Sequence, residues 1–105
     1  MYHVNITEPA EYDMLEAAKY TAKKLQNLQA ANRLLDETDD AIFSLEEMPY
    51  RYPLVNDDYL ASLGMRFIIV RNYVVFNIVR EERKTVVVER FIHGTLDWAS
   101  MLKRN

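Results

Sequence analysis

Arg66 and Arg90 stand in runs rich in β-branched residues, and a guanidinium fixed on a strand can clamp a phosphate through two parallel N–H···O bonds. The same arginines can instead pair with Glu89 or a helix carboxylate across a sheet. His93 ends the last of these runs, where an imidazole can give or take a proton near neutral pH or simply hydrogen-bond to backbone at a strand end. Tyr50-Arg51-Tyr52 interleaves aromatic and basic side chains, as a stacking site for single-stranded RNA would. The plainer arrangement tucks one tyrosine into the core and leaves the arginine in water. Arg71, in a tight turn, adds a cation that a polyanion can meet.

Other chemistries lack their residues. His3 and His93 with scattered carboxylates do not have metal-ligand spacing, there is no glycine-rich phosphate loop, and no serine or cysteine can be paired with a base. Neither a metal nor a cofactor is expected. There is no cysteine for a disulfide, so a reducing cytoplasm is the expected compartment. The N-terminus lacks the basic-then-apolar order of a signal peptide. The longest apolar run, Phe67-Ile68-Ile69-Val70, falls far short of the ~20 residues of a membrane helix.

These groups need a scaffold, and 105 residues, half of them apolar, make one modest core. A single domain over 1–105 is expected. Charge is divided along it. Residues 1–48 carry four basic and ten acidic side chains, net −6, and residues 49–105 carry nine basic and six acidic, net +3. A polyanion would therefore meet the C-terminal half.

His3 to Thr7 alternates polar and apolar, as a strand with one buried face does. Thr7 can cap a helix with Glu8, Pro9 and Glu11 in its first turn, and Ala10, Met14, Ala18, Thr21 and Leu25 follow at helical spacing. Asn27 can cap a second helix, with Leu28, Ala31, Leu35, Thr38, Ile42 and Leu45 three and four apart, so the two form a hairpin with facing stripes. Pro49 and Pro53 stop it, and residues 49–64 look like a loop ending at Gly64. Three β-rich runs then follow, split by an Arg71-Asn72 turn and a charged loop over residues 80–84. Val74, Phe76 and Ile78 share one face, Tyr73, Val75, Asn77 and Val79 the other. Both faces are apolar, so helices should cover one and a partner the other. Asp97 can cap a final helix whose Trp98, Met101 and Leu102 pack it onto the sheet. The fold class is α+β: an N-terminal strand and helix hairpin packed on an antiparallel sheet, with a short C-terminal helix.

That order resembles the RelE/ParE superfamily of bacterial toxins. The resemblance is carried by Leu45 to Pro49 at the end of the hairpin, Gly64-Met65-Arg66 entering the sheet, Asn72-Tyr73-Val74-Val75-Phe76, and Val88-Glu89-Arg90-Phe91-Ile92-His93-Gly94 followed by Asp97-Trp98. It covers essentially the whole chain. It implies the toxin of a type II toxin–antitoxin module, a growth-arresting and plasmid-stabilising device held inactive in a hetero-oligomer with its cognate antitoxin.

The resemblance implies one of two activities. In one branch the toxin enters the ribosome and cleaves mRNA without a metal, an endoribonuclease reaction that needs an activated 2′-hydroxyl, a stabilised phosphorane and a protonated leaving oxygen. Arg66, Arg90 and His93 would be its catalytic residues here, with Arg71, Tyr50, Arg51 and Tyr52 binding RNA. In the other branch the toxin poisons DNA gyrase by binding alone. A third expectation is a degenerate, non-toxic binding module. Ribosome-associated cleavage is the first expectation, against one departure. Nuclease members place a basic residue or histidine shortly after the glycine, where this chain has Thr95-Leu96-Asp97-Trp98, and Leu96 cannot stabilise a phosphorane.

Overall fold

The first helix begins as its cap residue dictates. In the computed structural model, which describes residues 1–104, the Thr7 hydroxyl accepts the Ala10 N–H at 3.1 Å and α1 runs Glu8–Leu25. Asn27 caps α2, Leu28–Phe43, through the N–H groups of Gln29 and Ala30. Strands β1 (His3–Ile6), β2 (Arg66–Val70), β3 (Tyr73–Arg80) and β4 (Thr85–His93) form one sheet in the order β1-β4-β3-β2. The expected antiparallel meander is β2–β3–β4. At its far edge β1 joins in parallel, pairing with Thr85 to Val88. Thr7 prolongs that edge, its N–H and hydroxyl donating to the carbonyls of Val88 and Glu89.

One sheet face carries Ile68, Val70, Val75, Val86, Val88 and Phe91 against Ala10, Met14 and Ala17 of α1 and Leu34 and Ile42 of α2. The hairpin is as expected, but Leu25 and Leu28 are exposed. They flank the turn between the helices, where no further layer lies against them. Leu34 takes the buried position expected of Leu35, which is only half-buried.

The other face is not left to a partner. Within the segment read as a loop, Asp57 caps a short α3, Asp58–Ser62, and Asp97 caps α4, Trp98–Lys103. Val55, Leu60 and Met65 from this stretch, with Trp98, Met101 and Leu102, cover Phe76, Ile78 and Ile92. Lys103 donates to Asp57 at 2.8 Å, tying the two short helices together. What stays open on this face centres on Ile69, 68% exposed.

Candidate functional site

Strand order separates the two arginines read as a phosphate clamp. They do not lie on neighbouring strands: Arg66 pairs with Asn77 and Arg90 with Phe76, and β3 runs between them. Because Asn77 pairs with Val88 while Phe76 pairs with Arg90, Glu89 is an extra residue bulged out of β4. His93 pairs with Tyr73, at the start of β3 and four residues before Asn77. Four strand residues at ~3.4 Å each put Arg66 and His93 roughly 14 Å apart along the sheet.

Arg66 is engaged locally. Its Nη1 donates to the Tyr52 carbonyl at 2.6 Å, and the guanidinium lies 5.2 Å from the Tyr50 ring centre. Tyr50 in turn donates to Glu81 at 2.5 Å and Tyr2 does so at 2.8 Å. Lys84 also donates to this carboxylate, and with the two phenols it holds Glu81 down at about 2. The same contact pushes the Tyr50 hydroxyl upward. Tyr52 packs against the core and Arg51 is exposed. The Tyr-Arg-Tyr stretch takes the plainer of its two arrangements and braces Arg66.

Arg90 is paired too, with a helix carboxylate. Asp13 of α1 accepts from its Nε at 2.6 Å and its Nη2 at 3.0 Å, and from the Phe91 N–H at 3.0 Å. This hydrogen bond raises the arginine further. β1 ends its pairing at Val88, so the β4 edge beyond it is open, and Thr7 and Asp13 supply the missing partners. A recess of about 200 Å3 brings Arg90 and His93 together with Tyr73, Leu96, Asp13 and Glu16.

His93 is oriented by the turn that follows it. Its Nδ1 accepts the Thr95 N–H at 3.2 Å and lies 2.8 Å from the Thr95 hydroxyl. Tyr73 stands edge-on to the imidazole, ring centres 5.1 Å apart, and stacks on Phe91. Burial pushes the Tyr73 hydroxyl up, so it stays protonated. Arg71 adopts a left-handed φ of 55° in the β2–β3 turn and donates to both Glu37 oxygens at 3.0 and 2.7 Å. The turn touches the strand end directly, through Gly94 N–H to Asn72 carbonyl at 2.8 Å.

The structure thus places Arg71 and His93 at the Tyr73 end of β3, with Arg90 lining a recess shared with His93. It leaves Arg66 with Tyr50, Arg51 and Tyr52 across β3 from Arg90 and on the opposite face of the sheet. Asp13, Tyr73 and Thr95 belong to the first group and are not singled out by the sequence. The signal for Asp13 was an acid beside the buried stripe of Ala10, Met14 and Ala17. Among the described residues no cluster of acids and histidines could hold a metal, and no helix is long and apolar enough to cross a membrane.

Residues 4–98 match the family model of the ParE toxin of type II toxin-antitoxin system, parDE. No curated protein matches the chain. The fold is similar to that of the chromosomal ParDE system of P. aeruginosa, with TM-score 0.71 and 13% identity over 89% of this chain and 96% of that one. It is similar to the RelBE2 complex of Mycobacterium tuberculosis, with TM-score 0.63 and 20% identity over 88% and 96%. The isolated E. coli RelE toxin aligns over 99% of this chain and 98% of its own, with TM-score 0.56 and 14% identity.

Proposed function

Because the chain belongs to the ParE toxins of type II toxin–antitoxin systems, we propose that it arrests growth in the cytoplasm by gripping a macromolecular target without cutting RNA. The target is DNA gyrase, which the RelE/ParE resemblance implies for a member that acts by binding alone, and a cognate antitoxin restrains it. The observation that carries this is the recess holding Arg90 and His93. Metal-free RNA cleavage needs net positive charge at the phosphorane. Here Asp13 already neutralises Arg90 bidentately, Glu16 adds a second carboxylate to the walls, and Leu96 fills the rim. Arg66 lies on the far side of β3 and on the opposite face, held by Tyr52 and Tyr50, and does not compensate. The antitoxin partner is supported by similar structures determined as toxin–antitoxin complexes.

The purified protein should inhibit gyrase supercoiling and leave messages intact in a translating extract. New mRNA ends that vanish in Arg90→Ala and His93→Ala would overturn this in favour of ribosome-associated cleavage. Expression alone should stop bacterial growth, and co-expression of the adjacent reading frame should restore it. Normal growth at high soluble expression would make the chain a non-toxic binding module.

A further inference from the structure

Five of the thirteen lysines and arginines form ion pairs among the described residues, and the recesses differ in how many acids they hold. The one at Arg90 holds Asp13 and Glu16, the one beside α4 holds Glu89, and the one at the β3–β4 loop holds Glu82. Two recesses have no carboxylate among the described residues of their walls: one along Val55, Phe67, Ile69 and Trp98, largely apolar and without a lysine, and a cleft of about 350 Å3 between the turn end of the helix hairpin and the β2–β3 turn. The cleft is bordered by Lys24, Arg71, Asn72, Tyr73 and His93, with Leu25 and Ala30 as an apolar wall. Lys24 touches Tyr20 and has no ion-pair partner among the described residues.

His93 adds a donor of fixed polarity. A backbone N–H can only donate, so the Thr95 contact makes Nδ1 an acceptor and places the neutral ring's proton on Nε2. Protonation leaves Nε2 a donor as well. In either state the ring edge turned away from the 94–96 turn presents an N–H.

We propose that this cleft binds the carboxylate of an acidic, partly apolar peptide segment. The carboxylate sits between Lys24 Nζ and His93 Nε2–H, and an adjoining aliphatic side chain lies on Leu25 and Ala30. Two features select a peptide acid over a nucleic-acid phosphate. The apolar wall suits a neighbouring side chain, and Arg71 at the cleft's edge already takes a carboxylate, Glu37, with both of its oxygens. The inference rests on the toxin–antitoxin reading only in naming the antitoxin as the bearer of that segment.

The test needs neither toxicity nor a cellular target, so its failure is separable from failure of that reading. A short synthetic peptide of alternating leucine and glutamate is titrated into the isotope-labelled protein, beside its glutamine counterpart and an oligouridylate. The glutamate peptide should shift the resonances of Lys24, Tyr73 and His93, and Lys24→Gln should weaken it about tenfold at low salt. The glutamine peptide should leave them unmoved. Equal binding of both peptides, shifts elsewhere, or an unaffected Lys24→Gln protein would overturn the proposal. Displacement by oligouridylate at the same resonances would reassign the cleft to nucleic acid. Ring-nitrogen shifts of neutral His93 should report the proton on Nε2, and a proton on Nδ1 would also overturn it.

Discussion

Asp13 and Arg90 hold each other across 77 residues of chain, and the carboxylate that neutralises the guanidinium also closes the open edge of β4 by taking the Phe91 N–H. One helix side chain therefore anchors α1 to the sheet and lowers the positive charge of the recess beside His93.

Asp13→Asn should be the costliest single polar change in the protein. It leaves a guanidinium, only 29% exposed in its side chain, without its anion, a loss of about 2 kcal/mol once solvent screening is allowed for. Urea unfolding measures it. Arg90→Met, which keeps the Asp13 contact to Phe91 N–H, should cost less, and the reverse ranking would refute this account of the pair.

Asn77 is fully buried in β3, and neither its Oδ1 nor its Nδ2 has a hydrogen-bond partner. A buried amide of this kind costs ~1–3 kcal/mol. Asn77→Val suits the strand and removes that cost, so the thermal midpoint should rise. A fall would mean that the amide is satisfied by enclosed water.

Glu81 links the N-terminus, the segment after α2 and the β3–β4 loop through Tyr2, Tyr50 and Lys84. Its carboxyl is lowered from 4.5 to about 2. The linkage sign follows: the folded state is favoured by this group above about pH 4.5, and that benefit is lost as pH falls through about 2. A carbon-detected titration should place the Glu81 midpoint near 2, and Tyr50→Phe should move it upward. An ordinary midpoint in the native protein would remove the tether.

The two glycines should respond oppositely to alanine. Gly64 enters β2 at φ +88°, so Gly64→Ala should destabilise by about 1 kcal/mol through backbone strain, although the nearest atom is 3.9 Å away. At Gly94 a Cβ meets the Asn72 carbonyl oxygen at 3.5 Å, an ordinary contact at an ordinary φ. Gly94→Ala should be neutral or slightly stabilising, and denaturation midpoints of the two variants separate the cases.

The parts visible in the sequence were those fixed within a few residues. Thr7, Asn27 and Asp97 cap the helices they precede, because a cap needs only the next turn. The alternation from Tyr73 to Val79 gave the two faces of β3. Strand neighbours are settled by pairing across the whole chain, so the separation of Arg66 from Arg90 and the parallel course of β1 were not legible. A five-residue helix such as α3 has too few turns to show a period, which is why its share in covering the second sheet face, beside the expected Trp98, Met101 and Leu102, was missed. The site suffered most. Asp13 and His93 meet only through the α1–β4 packing, and nothing local in the sequence marks that meeting.

The parallel pairing of His3 to Ile6 with Thr85 to Val88 also sets when this molecule can come into being. The first strand to leave the ribosome has no partner until the last one follows it, and the hairpin helices between them have only half a sheet to lie on. Closing so long a loop comes late and all at once. A chain released before β4 is complete holds neither the anchored first helix nor the His93 end of the sheet, so incomplete synthesis yields no working fragment.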